Sequence, residues 1–444
     1  MCAIFADIHF PVVPASRLPL YSAPMSRTGA QLMILTLIVG LFLTRESRLP
    51  PLDAIEEGFA DFLAMNSRRT EEPAAVTLVG INESSLREHP LPWSPLDYAL
   101  FFRSAGVFRP EIVATDAALA WDEKAMRPEA QNKFTQYKTM LREQVLRSPK
   151  VLLGAQLGFP EDPDAERPAD VVPVLRHVKG ELAALPDFPV VEAQADEDYR
   201  LSSTLGFTNL PGASNWHRSV PLIYRYRGQV VPSLVLQAAI MWEKLSLDDV
   251  RVELGVRIAL GDRVEIPIDV AGQMRVDFGV PRGRCGFDDL VLAAAQAEAK
   301  SDTRNLTPET FSGKLLVLSR VDEASRTLRL AAGRAGSAGE LFTAAIATIQ
   351  SRTFIRRAPP WVDAALIGVA MLASLWLPCW RRGRVAFFAL VAVILYVLAA
   401  LWIFGSELTW MPVTLPVGLA LFLALYRLAT PGTEGELQKP VKIV

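Results

Sequence analysis

Cysteine, histidine and surplus charge are all scarce along these 444 residues, and each shortage closes off a class of function. The three cysteines, Cys2, Cys285 and Cys379, are widely separated. Only Cys285 lies in the long polar stretch between the apolar segments, so no disulfide framework is expected there. Cys285 itself is open to two readings, a small buried apolar residue or a reactive thiol. His89, His177 and His217 stand dozens of residues apart without His-x-x-x-His or Cys-x-x-Cys spacing, so no metal site is expected. No Gly-x-Ser-x-Gly elbow, P-loop or dinucleotide fingerprint occurs, so neither catalysis nor a cofactor is expected. With 46 basic and 48 acidic side chains the formal charge is −2, and no basic surplus points to nucleic acid.

What is present is segregated by polarity. Half of the residues are apolar, yet 94 side chains are charged, a mixture too apolar for an ordinary soluble protein and too charged for a membrane bundle. Residues 361–380 are apolar except for Asp363, and about twenty residues at 1.5 Å each cover the roughly 30 Å core of a bilayer. Arg381, Arg382 and Arg384 follow, then an uncharged run over 385–404, the Glu407 turn and a third run over 410–426 closed by Arg427. Near the N-terminus, residues 29–44 form a shorter run that reaches only about 24 Å and needs snorkelling arginines or a thinned bilayer. The Arg45-Glu46-Ser47-Arg48 sequence after it lacks the small residues of a cleavage site, which favours an uncleaved anchor. Arginines in the 381–384 turn place that turn and the tail over 427–444 in the cytoplasm. The expectation is therefore four transmembrane helices, one N-terminal and three C-terminal, in a bacterial inner membrane. Both termini are cytoplasmic and residues 45–358 extracytoplasmic, with Cys285 outside and Cys379 inside. Residues 1–28, rich in proline, read as disordered, and Met25 is a candidate start. Asp363 reads as an interfacial or helix N-terminal residue, with an ion path as the other reading.

Between the anchors the periodicity predicts an α/β domain with a mixed sheet. Residues 50–65 carry apolar side chains at helical spacing, and 75–81 is a buried strand ending in the polar cluster Asn82-Glu83-Ser84-Ser85. A helix over 95–108 and a strand over 111–119 bearing Asp116 complete a βαβ unit, with two parallel strands joined by a crossover. A helix over 132–146, strands over 151–157 and 314–321, a helix over 233–244 and one over 339–351 extend the core. Residues 159–173 read as a loop, 218–226 with the Arg227-Gly228 turn as a hairpin arm, and 252–278 as short antiparallel strands. The acidic stretches containing Asp162, Asp164, Glu197 and Asp198 read as solvated loops.

Several motifs in order resemble bacterial proteins bearing the type-2 CHASE domain, an extracytoplasmic sensory module found in receptors with cyclase or kinase outputs. Asp61 in Phe59-Ala60-Asp61-Phe62 matches the aspartate of the family's first helix. Ile81-Asn82-Glu83-Ser84-Ser85 matches its Ile-Asp-Glu-x-Ser strand end, and Leu91-Pro92-Trp93 its tryptophan-proline element. Asp116 lies on the next strand. Gly206-Phe207-Thr208-Asn209, Arg218-Ser219-Val220-Pro221, Pro232-Ser233-Leu234 and Gly313-Lys314-Leu315-Leu316-Val317 are similar to later segments, and three helices after the domain fit the family. Departures are Asn82 for the first acid, Pro95-Leu96 where an arginine is expected, Ser325-Arg326-Thr327-Leu328-Arg329 for an aspartate and a Thr-Pro pair, and Thr343-Ala344 for a histidine-alanine pair. The chain ends at Val444, too soon after the last run for an output domain, so the expected partner is a separate cytoplasmic or membrane protein.

The resemblance implies a sensor. Asn82, Glu83, Ser85, Trp93 and Asp116 are the candidate ligand-binding residues, because Glu83, Ser85 and Asp116 are expected at the carboxyl ends of adjacent parallel strands, where open α/β sheets bind ligands. The competing reading gives Ser85 and Asp116 to helix caps and loop amides and Trp93 to loop packing. The expected partners are the lipid bilayer, an unknown small ligand, an output protein and a second copy of the chain. A structural or scaffolding protein with a degenerate ligand site is the alternative function.

Overall fold

The computed structural model describes residues 27–46, 50–67, 72–126, 128–160, 170–212, 216–299, 308–376 and 382–430. Met25, residues 1–26 of the stretch expected to be disordered, residues 161–169 of the expected loop, Cys379 and residues 431–444 of the tail lie outside the described residues. The chain forms two compact units, one of residues 54–358 with 397–412, the other of the flanking segments.

The larger unit is built on strands β1 (Val76–Ile81), β2 (Ile112–Thr115), β3 (Val151–Gly158), β4 (Val190–Ala193), β5 (Thr204–Phe207), β6 (Gly283–Gly286) and β7 (Leu315–Arg320). The sheet runs β6-β1-β7-β2-β3, all parallel; β3 then pairs parallel with β5 and antiparallel with β4, so the sheet is mixed as expected. Its helices are α1 (Pro50–Asn66), α2 (Pro95–Val107), α3 (Phe134–Arg147), α4 (Leu234–Trp242), α5 (Phe287–Glu298) and α6 (Ala338–Ser351). Strand residues alternate between two apolar layers, as a period of two requires. Leu315 and Val317 of β7 pack with α4 and α6, whereas Leu316 and Leu318 pack with α2, α3 and α5. The sheet is thus covered on both faces, which is why its central strands read as nearly continuous apolar runs.

Local chemistry sets the helix starts. Asp97 accepts from the backbone N–H and hydroxyl of Ser94, each at 2.7 Å, and opens α2 behind a proline. The Ser233 hydroxyl accepts from the Leu236 N–H at the head of α4, and Ser337 with Glu340 forms a capping box at the head of α6. Gly339 in that first turn is required, because a Cβ there would lie 2.3 Å from Ser319; the helix rests directly on β7.

Two expectations are corrected. β1 and β2 are parallel but not adjacent, since β7 returns from over 200 residues later and lies between them. The crossover through α2 leaves a gap one strand wide, and the all-apolar start of β7 fills it with both faces buried. The hairpin is Ile223–Tyr226 with Gln229–Pro232, while Ser219–Pro221 pairs instead with Gln273–Arg275. The short strands over 250–267 are antiparallel, as their alternation implies.

In the smaller unit, Leu32 packs with Val385 and Leu423, and Ile367 packs with Leu415 and Leu419. Gly40 gives the close approach to Ile367 that a Cβ would block. The helix segment Gly383–Glu407 is long and apolar enough to cross a membrane; Ala30–Thr44, Pro360–Trp376 and Thr414–Ala429 are shorter apolar helices. Their outward faces are apolar too, with Ile34, Phe42, Val369, Leu395, Leu421 and Leu425 each more than half exposed.

Candidate functional site

β1 leads through the Glu83–Glu88 turn of helix into α2, on one face of the sheet, whereas β7 leads towards α6 on the other. The chain therefore leaves neighbouring strands in opposite directions, and the crevice this opens at the strands' carboxyl ends is where doubly wound sheets take ligands. The residues beside it come from β1, β7 and β2.

Asn82 is committed to the backbone. Its Oδ1 accepts from the Ser85 N–H at 3.0 Å and from the hydroxyls of Ser84 at 2.6 Å and Ser85 at 3.1 Å, which caps the Glu83–Glu88 helix. Asparagine and aspartate cap equally well, so the departure from the family's acid preserves the turn while removing a charge. Glu83 is exposed and reaches across the crevice, where its Oε1 accepts from the Glu323 N–H at 2.7 Å. Its own backbone amide and that of Glu323 hold its carboxyl below the ordinary range.

Ser85 is fully buried, and Trp93 is only 3% exposed. The Trp93 ring packs on Phe287 and Tyr98, with centroids 4.8 and 5.4 Å away. Its Nε1 donates to the His89 carbonyl at 2.9 Å, and its own carbonyl accepts from Trp121 Nε1 at 2.8 Å. Trp93 thus sits in loop packing and Ser85 in the capped turn that Asn82 starts, the two competing readings given for them.

Asp116, at the end of β2, sits on the far side of β7 from Asn82. The correction to strand order therefore separates residues expected to be neighbours. The Ser319 hydroxyl of β7 donates to Asp116 Oδ2. Burial pushes the Asp116 carboxyl up to about 6, against the lowering pull of Ser319, its own backbone and Arg320. Burial and the negative charges of Asp116 and Asp97 likewise raise the Tyr98 phenol. Gly154 of β3 is needed here, since a Cβ would collide with the Asp116 carbonyl. Arg320 forms a bidentate pair with Asp322 at 3.0 and 2.8 Å, which holds the Asp322 carboxyl low.

Asn82 and Glu83 line a cavity of about 410 Å³ with Gly80, Arg284, Gly286 and Arg326. Ser319, Arg320 and Asp322 are the residues beside Asp116 that sequence reasoning missed, although the strand-end rule applied to 314–321 would have named them. Cys285 borders the same cavity, half-buried; burial and Asp289 push its thiol up to about 12, away from the thiolate form. His217 is buried, with its ring pushed towards the neutral form by burial, and no grouping of three or more potential metal ligands occurs among the described residues.

A second polar centre joins α1 to the sheet domain. Arg218 grips Asp61 with Nε at 3.1 Å from both carboxylate oxygens and Nη2 at 2.8 Å, and Trp216 lies over its guanidinium at 4.6 Å. Arg275 pairs with Glu57 at 3.0 and 2.6 Å and stacks on Trp410 at 4.7 Å. Arg357 stacks on Trp410 as well, and Arg356–Arg357 pairs in parallel with Thr409–Trp410. The Asp61 and Arg218 motifs, far apart in sequence, thus form one ion pair.

A model of the CHASE2 domain matches residues 33–376, from within the first apolar helix to the end of Pro360–Trp376. No curated protein and no solved structure matches the chain.

Proposed function

We propose, from the premise that the chain belongs to the CHASE2 domain family, that it is an integral protein of a bacterial inner membrane. In this reading its sheet domain, outside the cytoplasm, binds a small ligand or partner and signals through four transmembrane helices to a separate protein. The role is sensory rather than catalytic. The observation that carries the reading is the position of Arg275, held by Glu57 of α1 and by Trp410 of the Thr409–Trp410 strand. Any shift of the sheet domain pulls on the helix that leads in and on the turn that follows Arg382–Glu407. The exposed apolar faces of the flanking helices suit lipid rather than water as their solvent. The pairing of 356–357 with 409–410 supports reading both segments on the same side of the membrane as the Glu407 turn.

The full chain in lipid nanodiscs, screened by thermal shift against a metabolite library, tests this: reproducible stabilisation by one compound class is expected. Stabilisation by none would favour the scaffolding reading. That reading draws on a specific observation, since Asn82, Ser85 and Trp93 are all committed to capping or packing.

A further inference from the structure

A second cavity, of about 440 Å³, opens on the α6 side of the sheet beside β6. Four arginines line it, Arg282, Arg284, Arg326 and Arg334, against one acid, Glu340. Arg284 takes that acid at 2.8 Å. Arg282 is half-buried and donates to the Val280 carbonyl at 3.3 Å. Among the described residues Arg326 and Arg334 make no ion pair and no side-chain hydrogen bond. Both are exposed, and Glu83 near Arg326 and Asp277 near Arg282 offset the surplus only in part. Positive charge therefore predominates here, in a chain whose net charge is −2 and which has no general basic surplus to scatter there.

Like charges do not gather on an apolar floor without cause. Leu78, Phe278 and Val280 supply that floor, and low-dielectric walls strengthen both the repulsion in the empty site and the attraction for an anion. Burial first, and then Arg334, hold the Arg282 guanidinium below its ordinary value, with Glu340 and Asp277 pulling the other way. Arginine stays charged at any working pH, and its fork suits oxyanions in bidentate geometry. A single carboxylate would neutralise one charge of three.

We infer that this cavity binds a small, soluble, phosphate-class oxyanion carrying two negative charges, seated between Arg282, Arg326 and Arg334. The site deepens the proposal above and rests on reading the domain as a ligand binder. It adjoins the crevice cavity, with which it shares Arg284 and Arg326, so a phosphorylated ligand can extend from one into the other.

The test is titration calorimetry of the full chain in zwitterionic nanodiscs with inorganic phosphate. Saturable binding that fades with added salt is expected, falling at least tenfold in Arg326→Gln and in Arg334→Gln but not in Arg329→Gln, which is exposed and outside the cavity. Without phosphate, the first two variants melt no lower than the parent, because each relieves repulsion; a merely structural arginine would lower the melting point. Equal phosphate binding in the parent and the double variant overturns the inference. So does an absence of phosphate binding when nanodiscs containing phosphatidylglycerol stabilise the parent alone, because the anion is then a lipid headgroup. If phosphate binds through these arginines while α1 is unmoved by hydrogen exchange, the site stands and the signalling reading falls. Binding of only some other metabolite reverses that outcome.

Discussion

Asp116 titrates late because desolvation outweighs the serine hydroxyl that supports its charge. Its ordinary value is 3.8 and its folded value about 6, so between the two the folded chain binds more protons than the unfolded one. The resulting stability is complete below pH 3.8 and lost as pH rises through 6. Asp116→Asn removes that loss, and by pH 7.5 the variant is expected to be more stable than the parent by about 2 kcal/mol, a gap that closes near pH 4. Thermal unfolding followed from pH 4 to 7.5 checks it, and parallel curves for the two proteins would refute the assignment. Asp116 was visible in the sequence as an acid ending an apolar strand. That Ser319 is its partner was not, because nothing in a single chain says that the strand at 315–320 lies beside the one at 112–115. Asn82 shows the reverse limit: its position was legible, yet its side chain turned out to be occupied by the turn it starts.

At the scale of elements, sequence patterns located the strands and helices with strong periodicity, such as β1, α2, β7 and α6, to within a few residues. They missed β6, whose Gly-Arg-Cys-Gly has no apolar alternation and is a strand only because β1 offers it a parallel edge. They missed α5 with it. The grip on α1 is likewise a tertiary fact, since Asp61 and Arg218 are 157 positions apart. Their pair is largely shielded from water, so removing Asp61 leaves the Arg218 charge poorly solvated with only the longer 3.5 Å contact to Glu57, which Arg275 already shares. Asp61→Ala is expected to cost about 3 kcal/mol and to speed hydrogen exchange in α1. Arg218→Lys keeps the charge but loses the two-point contact and should show a smaller loss of the same kind. Unchanged exchange in Asp61→Ala would show that the Asp61–Arg218 pair does not hold α1, leaving the Glu57–Arg275 pair and the apolar contacts to do so.

For the whole molecule, the orientation proposed above has a direct chemical test, with one trap. Cys285, with its thiol pushed up to about 12, would stay silent towards a maleimide on either side of the membrane. Leu201→Cys is the better reporter, since Leu201 is 87% exposed. In intact spheroplasts an impermeant maleimide should label Leu201→Cys at once and reach Cys379 only after the membrane is opened; early labelling of Cys379 reverses the topology. The place of β7 also bears on how such a chain is made. A ribosome releases β1 and β2 long before residue 320 emerges, so the two strands wait with the slot between them empty and their edges unpaired. Closure of that slot is a contact of very long sequence range, the kind that folds slowly and leaves sticky intermediates. A domain closed this late is expected to refold slowly, which stopped-flow refolding of the chain would show.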